Sequence, residues 1–351
     1  MHFLVGDQSG LIKDVRIPPP AKSLSKRKRD AEASAEKPAS VIQTYGSMDM
    51  NRAVDQMCWC SMGGAHTDQV VVARKGGRIS RVSSTTGQEV GSFAPFQIAL
   101  DSKGLPKLNK HRQADYVVGI AQEEGSILSC SNTGLVHLHR QDPETEQSHQ
   151  VISASLNQDL LFRMRASPEN INVFATGGDE RDLCIWDLNT VSSSSENGKF
   201  QPTWKAKNVP HDFLDLRVPI WITDLEYLTP SQLVTSTGYH QVRLYDIKAA
   251  KKPVMSCEVG DTPLRTITVL NANEVLVSDA TGELTCLDIR QGGRVMGKYK
   301  GSTGAVRSVC IQNGHVAAVG LDRFLRIYHI KTRRMLHQVY LKQRLSSVLA
   351  F

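Results

Sequence analysis

The sequence has no hydrophobic run long enough to cross a membrane and no signature of a common enzyme. None of the apolar stretches in its 351 residues approaches the roughly 18 residues that a membrane-spanning helix needs. The phosphate-binding loop GxxxxGK[ST], a GxGxxG after a strand, the zinc-protease motif HExxH and the nucleophile elbow GxSxG are all missing. The N-terminus also lacks the charged and apolar regions of a secretory signal. We therefore expect a soluble, intracellular, non-catalytic protein that needs no cofactor.

Cysteine is scarce and scattered. The seven cysteines include no CxxC pair, and neither they nor the dispersed histidines follow the spacing of a metal site. Because most of the cysteines lie inside apolar runs, we expect buried thiols and no bound metal.

Short runs of alternating apolar residues are abundant, each followed by a Gly, Asn or Asp turn and a second run. This pattern is typical of consecutive antiparallel strands. Three units superimpose on one another, and they span Asn273 to Val295, Gly314 to Leu336 and Gln232 to Val254. Their third strands end in an aromatic or aliphatic residue followed by an acid or histidine. A fourth unit ends in the literal pair Trp186-Asp187.

Three more degenerate copies, at the start of the chain, around Arg78 and around Val136, bring the number of units to seven. The predicted third strands end at Val15, Val82, His139, Trp186, Tyr245, Leu287 and Tyr328. The last two intervals, of 42 and 41 residues, match the about 40 to 45 residues of a four-stranded propeller blade. The sequence therefore predicts an all-β fold, a seven-bladed WD-repeat (WD40) β-propeller.

The two ends of the chain are predicted to close this ring. The sequence begins at what resembles a second strand, whereas the final segment RLSSVLAF resembles a first strand. We expect residues 344–351 to complete blade one and to remove the open edge that an unclosed sheet would expose.

Residues 1–351 are predicted to form one propeller domain that loop insertions interrupt. A basic segment at 18–40 and a Ser-rich segment at 191–200 are polar and poor in aromatic residues, which is typical of disordered loops.

The formal net charge of +7 is concentrated in two places. Residues 18–40 hold six basic and three acidic side chains, and residues 323–351 hold seven basic side chains and no acidic one. Within the first segment, the run Lys26-Arg27-Lys28-Arg29 indicates nuclear targeting or RNA contact, and the alternative is a solvated charged loop.

The basic final blade offers candidates for RNA phosphate contact, some of them at alternating strand positions that would face outward. These candidates are Arg323, Arg326, Arg333 and Arg334. The alternative is a positive rim that only aids solubility.

Several unusual segments are predicted to meet on one face of the ring. In a four-stranded blade, the loop between strands two and three opens on the same face as the connection into the next blade. The loops at 177–182 and 237–241 and the connection at 210–221 should therefore converge over blades four and five. Phe213, Arg217, Trp221 and Tyr239 are residue types that anchor protein interfaces, although Phe213 and Trp221 could instead pack between blades.

Acidic residues such as Asp187, Asp288 and Asp322 lie in or beside turns. A carboxylate there can accept hydrogen bonds from backbone amides, so we expect a structural role for these acids.

Four segments in this order closely resemble one WD-repeat family: GGDERDLCIWDLN, WKAKNVPHDFLDLRVPIWITDLEYL, STGYHQVRLYD and GLDRFLRIYHI. The family is that of the fungal Nop-seven-associated nucleolar protein and its animal WD-repeat counterpart. The resemblance is specific over about residues 160–345 and weak over the N-terminal blades.

This resemblance implies a scaffold factor in the nucleus and nucleolus that docks on precursors of the large (60S) ribosomal subunit and is involved in rRNA processing. It implies contact with ribosomal RNA and assembly factors, including a Brix-domain protein, and later release by a AAA-type ATPase. Outside the particle we expect a monomer. The family and the face over blades four and five together indicate a partner-binding set, Arg217, Trp221, Tyr239, His240 and Arg243.

The same fold serves other functions, so two alternatives remain open at this point. One is a substrate receptor that recruits targets to a ubiquitin ligase. The other is an enzyme that uses the central channel, although the sequence suggests no cluster of acids and histidines there.

Overall fold

The computed structural model describes residues 1–18, 40–62, 65–96, 115–141, 148–190, 200–211 and 214–351. Over these residues the chain forms seven four-stranded antiparallel sheets. The inner strand of each sheet contacts the inner strands of the sheets on either side, so that the sheets close into a ring around a central channel. The predicted seven-bladed WD-repeat β-propeller is confirmed.

Each blade runs from an inner strand next to the channel to an outer strand at the rim. From the inner strand outward, blades one to four are β28 (Leu345–Ala350), β1 (His2–Asp7), β2 (Ile12–Arg16) and β3 (Val41–Tyr45); β4 (Val54–Met62), β5 (Ala65–Arg74), β6 (Ile79–Ser83) and β7 (Glu89–Phe93); β8 (Val117–Glu123), β9 (Ser126–Ser131), β10 (Leu135–Gln141) and β11 (Ser148–Ser155); and β12 (Leu161–Ala166), β13 (Val173–Gly178), β14 (Arg181–Asp187) and β15 (Trp204–Lys205).

Blades five to seven follow the same order. They are β16 (Ile222–Thr229), β17 (Gln232–Thr237), β18 (Gln241–Asp246) and β19 (Met255–Glu258); β20 (Leu264–Val269), β21 (Glu274–Asp279), β22 (Leu284–Asp288) and β23 (Arg294–Tyr299); and β24 (Val306–Gln312), β25 (His315–Gly320), β26 (Phe324–His329) and β27 (Met335–Tyr340). Short 3-10 turns occupy Met50–Arg52, Leu188–Thr190 and Ile289–Gln291.

The core is divided among the contacts between blades. Among the described residues, seven apolar clusters lie one at each junction of neighbouring blades. Trp186, the tryptophan of the WD pair, is 1% exposed, and its indole N–H donates to the Thr176 hydroxyl oxygen at 2.9 Å. Because each blade covers one face of its neighbour, no single blade could bury both of its faces alone.

Strand β28 closes the ring as predicted. It pairs with β1 in antiparallel register, with Leu349 opposite Leu4 and Val348 opposite Val5. The Trp59 indole N–H of blade two also donates to the Ala350 carbonyl at 2.9 Å. The last strand of the sequence is therefore the inner strand of blade one, and both ends of the chain lie in the same sheet.

Acids at the ends of the third strands cap the turns that follow. The Oδ1 atoms of Asp187, Asp246 and Asp288 each accept a backbone N–H from two residues ahead at 2.9 Å. In blade seven the Nδ1 atom of His329 accepts the N–H groups of Lys331 and Thr332 at 3.2 Å. The structural role predicted for the acids at these turns is confirmed.

Every inner strand carries the same irregularity at its start. The first residue is a buried aliphatic in all seven strands, namely Val54, Val117, Leu161, Ile222, Leu264, Val306 and Leu345. After that residue the pairing with the second strand skips one position, which is a β-bulge. The skipped residues are Asp55, Val118, Phe162, Thr223, Arg265, Arg307 and Ser346.

Most of the two predicted insertions, including the whole run from Lys26 to Arg29, lies outside the described residues, as does Phe213. The predicted burial of the thiols holds for Cys60, Cys130, Cys184 and Cys286, whereas Cys58, Cys257 and Cys310 are partly buried. No helix in the described part of the chain has the length and apolar character to span a membrane.

Candidate partner-docking site

One end of the ring, which we call the top face, carries the connections between blades and the loops between second and third strands. The segments that the sequence placed together do meet there. Asp179 forms an antiparallel bridge with Trp221, and the Glu180 N–H donates to the Ile220 carbonyl at 2.8 Å. The Gly238 N–H donates to the Trp221 carbonyl, also at 2.8 Å. The connection into blade five is therefore joined by backbone hydrogen bonds to the top loops of both blades four and five.

Trp221 lies at the centre of these contacts. Its ring is 6.0 Å from the ring of Tyr239 and 6.3 Å from that of Phe162, in edge-on arrangements, and the Arg265 guanidinium lies 5.8 Å from its centroid. Its indole Nε1 is buried and has no hydrogen-bond partner within the described ranges. We call Phe162, Trp221, Tyr239 and Arg265 the Trp221 cluster.

Two glycines make this packing possible. A Cβ atom at Gly238 would lie 2.0 Å from Cε3 of Trp221, and one at Gly177 would lie 2.8 Å from Cγ2 of Ile222. Real Cβ atoms do not approach other atoms so closely, so the indole can lie flat against this backbone only if residue 238 lacks a side chain.

Three of the predicted partner-binding residues surround Trp221 with different degrees of exposure. Tyr239 is 38% exposed, and His240 is half-buried with a left-handed φ of 50°. The exposed Arg217 guanidinium forms an ion pair of 3.0 Å with Glu180, the residue that also bonds Ile220. The top face thus presents an aromatic surface beside an exposed ion pair.

Arg243 does not join this group. It lies on the third strand of blade five, is 3% exposed, and donates to the side-chain oxygens of Gln241 at 2.7 Å and Asn208 at 3.3 Å. It is buried because neighbouring blades cover both faces of each sheet. A contact between Arg243 and a partner would require this packing to open.

The structure separates the basic residues of blade seven. Arg323 precedes strand β26 at the top face, whereas Arg333 and Arg334 follow it at the opposite end of the ring, which we call the bottom face. Arg323 and Arg334 are exposed, and Arg333 is half-buried against Gly297. The four predicted RNA-contact residues therefore do not form one patch.

Arg326 is also not at the surface. It is 3% exposed, forms an ion pair with Asp322, and stacks 5.0 Å from the ring centroid of Phe324. The expectation that alternating positions on this strand face outward is wrong for Arg326, because the preceding blade, blade six, covers that face of the sheet. Its arrangement holds the top loop of blade seven, where Asp322 also accepts the Thr303 N–H at 3.2 Å.

The central channel opens at the top face into a cavity of about 450 Å³, which we call the channel mouth. Six of the seven bulge residues line it, all except Val118, and they are joined by Lys75, Tyr116 and Arg163. This site was not predicted from the sequence. Its signal was present as a buried aliphatic followed by a polar residue in Val54-Asp55, Leu264-Arg265 and Val306-Arg307, but the first strands carry no motif as visible as the WD pair.

Below the mouth, ion pairs tie the inner strands together. The Asp224 carboxylate lies 2.7 Å from Nε of Arg163 and 3.6 Å from Arg165, and it accepts the Ile267 N–H of the next blade at 3.1 Å. Burial raises the pKa of Glu226, and the nearby charge of Arg165 opposes that shift.

Asp55 occupies the bulge of blade two. Burial raises the pKa of Asp55 to about 7, although Lys75 and a hydrogen bond from the Val117 backbone oppose the shift. Since a carboxylate with little access to water prefers the neutral form, this environment favours protonation of Asp55.

The described residues contain no group of three or more His, Cys, Asp or Glu side chains arranged to hold a metal ion.

The chain is similar over nearly its whole length to WD repeat-containing protein 74 of Homo sapiens. The two are 34% identical over 355 residues, which cover 99% of this chain and 80% of the human protein. WD repeat-containing protein 74 of Mus musculus is 32% identical over 354 residues, with the same coverage of both chains. No protein-family model matches the chain.

Fungal relatives carry a functional name. The ribosome biogenesis protein NSA1 of Meyerozyma guilliermondii is 34% identical over 250 residues, which cover 63% of this chain and 62% of that protein. The ribosome biogenesis protein nsa1 of Schizosaccharomyces pombe is 26% identical over 376 residues, which cover 99% of this chain and 88% of that protein. None of these four relatives bears the name of an enzyme.

Proposed function

Because the chain belongs to the family of WD repeat-containing protein 74 and the ribosome biogenesis protein NSA1, we propose that it is a non-catalytic scaffold in ribosome biogenesis. It docks on precursors of the large (60S) ribosomal subunit in the nucleolus and is involved in rRNA processing. The family names support the process, and the segments quoted above support the stage and the place.

The top face over blades four and five is the proposed protein-docking surface. The observation that carries this proposal is the Trp221 cluster, in which Tyr239, 38% exposed, packs edge-on against the indole, together with the exposed ion pair of Arg217 and Glu180 on the same face. Tyr, Trp and Arg are the residue types most enriched among the residues that dominate binding energy at protein interfaces. Arg217, Trp221, Tyr239 and His240 are the proposed contact residues, and Arg243 supports the blade beneath them.

The proposed partners are those of the precursor particle: ribosomal RNA and assembly factors that include a Brix-domain protein. A AAA-type ATPase later releases the chain. Arg323 at the top face, Arg333 and Arg334 at the bottom face, and the run from Lys26 to Arg29 are the proposed RNA or import contacts. Arg326 is not among the proposed contacts, because its ion pair with Asp322 stabilises the top loop of blade seven.

Affinity purification of the tagged chain from nuclei at low and moderate salt tests the proposal. Large-subunit precursor RNA with assembly factors is the expected result. RNA held only by surface arginines should be lost as salt rises, whereas protein contacts around Trp221 should persist.

Two outcomes would overturn the proposal. Copurification of a ubiquitin ligase scaffold without precursor RNA would favour a substrate receptor. Purification of the chain without any ribosomal precursor at either salt concentration would show that the chain does not act in ribosome biogenesis.

A further inference from the structure

In six of the seven inner strands the bulge residue lines the channel mouth at the top face, whereas Val118 of blade three is buried between blades. In blades six and seven that side chain is an arginine, Arg265 or Arg307, and both line the channel mouth. Arg163, one position past the bulge of blade four, lines the same cavity. Bulges elsewhere in proteins commonly direct functional side chains in this way.

The positive charge of the mouth is not balanced. Arg163 has Asp224 as its partner, but no ion pair joins Arg265 or Arg307 to a carboxylate in the described part of the chain. Burial lowers the pKa of Arg307, and the positive charges of Arg265 and Arg163 lower it further. Exposed Lys75 adds another positive charge at the wall, next to Asp55. Such a concave positive site attracts an anion.

The top face around the mouth, which we call the rim, carries exposed apolar side chains. Met50 lines the mouth and is 74% exposed, and Leu214, Leu216 and Tyr239 on the top face of blades four and five are exposed by 62%, 59% and 38%. Exposed apolar side chains around a polar pocket are typical of a protein interface, whereas RNA contacts are made mainly by basic and polar groups. The rim therefore favours a polypeptide as the source of the anion.

We propose that the channel mouth binds an acidic segment of a partner protein, whose Asp or Glu side chains reach Arg265 and Arg307 while flanking apolar residues rest on the rim. This inference names the ligand chemistry of the docking face, and it rests on the proposed function only for the identity of the partner. Arg163, which is already paired with Asp224, lies at the floor of the channel mouth.

Binding to the purified chain can be measured by fluorescence anisotropy with a labelled Glu-Leu-Glu-Glu-Leu-Glu peptide. Its glutamine counterpart and a labelled ten-nucleotide oligouridylate serve as comparison probes. The variant Arg265→Glu with Arg307→Glu is compared with Lys248→Glu with Arg294→Glu, a pair of exposed residues at the bottom face. Arg265→Gln with Arg307→Gln repeats the test with less electrostatic disturbance, and thermal unfolding identifies any variant that fails to fold.

The acidic peptide should bind the unaltered chain, lose at least about tenfold in affinity in both mouth variants, and bind the bottom-face variant normally. The glutamine peptide should not bind. Equal binding of the glutamine peptide, or no loss in the mouth variants, would overturn the inference. If the chain binds oligouridylate and only the mouth variants lose that binding, the occupant of the mouth is RNA and not a protein segment.

A second measurement identifies the occupant in the assembled particle. A photoreactive benzoylphenylalanine replaces Phe162 in the mouth, and the same residue at Tyr340, 50% exposed on an outer strand, is the control. A cross-link from position 162 to a protein segment rich in Asp and Glu is expected, and the Arg265→Gln with Arg307→Gln background should abolish it. If the chain enters the particle but position 162 cross-links only to RNA or to no acidic segment, the inference fails while the proposed function stands.

Discussion

Polar groups at the two faces of the ring differ in whether they have partners within the protein. At the bottom face, Asp187, Asp246, Asp288 and His329 accept backbone N–H groups of the turns that follow them. At the top face of blades five to seven, the Trp221 indole N–H lacks a hydrogen-bond partner in the described structure, and Arg265 and Arg307 lack a carboxylate there.

This difference separates structural polar residues from candidate binding residues. A buried donor without a partner costs about 1–3 kcal/mol, so such groups persist where binding can satisfy them or where packing compensates. Polarity alone does not identify the site. Asp322 and Asp279 at the top face are carboxylates like the bottom-face caps, and both accept hydrogen bonds from nearby backbone N–H groups.

Ring closure is required for either face to exist, so its loss should have the largest effect. Deletion of residues 344–351 removes β28 and exposes β1 and β24, and we expect the cooperative thermal unfolding transition to disappear. Removal of Phe351 alone is the control and should leave a cooperative transition. Full-length thermal stability in the longer deletion would contradict the closure by β28.

The variant Gly238→Ala tests whether the packing of Trp221 at the top face depends on Gly238, because the new Cβ would clash with the Trp221 ring. We expect a loss of about 1–3 kcal/mol in the free energy of unfolding, measured by denaturant titration, and displacement of the indole. Gly91→Ala is the matched control, since its Cβ would meet only the movable end of Arg81 at 3.0 Å. Equal stability of the two variants would mean that Trp221 does not depend on Gly238.

The charge of Asp55 at the channel mouth should make stability depend on pH. Its pKa is raised from 3.8 to about 7, so the folded chain binds this proton more tightly than the unfolded chain does. The resulting stabilisation is complete below about pH 4 and is lost as pH rises to about 7.

Asp55→Asn keeps an acceptor for the Val117 N–H and cannot ionise. Between pH 5 and pH 8 it should therefore gain about 1–2 kcal/mol of stability relative to the unaltered chain. Thermal unfolding of both proteins across this range measures the difference, and parallel stability curves would show that Asp55 is not shifted.

Removal of a bottom-face cap should have the smallest effect. Asp288→Ala leaves the Arg290 N–H without its acceptor at 2.9 Å, and we expect the melting temperature to fall by about 1–3 °C. Binding of the acidic peptide should not change. A variant that melts normally but loses that peptide would reverse the roles assigned to the two faces.

The sequence predicted the parts of the fold that recur with a visible signature. The WD-like pairs at the ends of the third strands indicated the blades, and RLSSVLAF indicated the closing strand. Both signals are visible because a distinctive residue pattern recurs at a fixed position in the repeat. The convergence of the loops on Trp221 followed from the same topology.

What the sequence did not reveal depends on packing between blades. Arg243 and Arg326 alternate with apolar residues as exposed side chains do, yet both are 3% exposed because the preceding blade covers that face of each sheet. Arg265 and Arg307 lie in one cavity only because bulges about 40 or more residues apart in the sequence line the same channel mouth. Neither property can be read from the residues of one strand.

Sedimentation of chain variants with large-subunit precursors through a density gradient tests most directly whether the top face is the docking face. The top-face variant combines Arg217→Glu with Tyr239→Ala, and Lys248→Glu with Arg294→Glu is its bottom-face counterpart. We predict that the top-face variant remains folded but leaves the precursor fractions, while the bottom-face variant stays with them. A top-face variant that stays bound while the bottom-face variant dissociates would contradict this prediction.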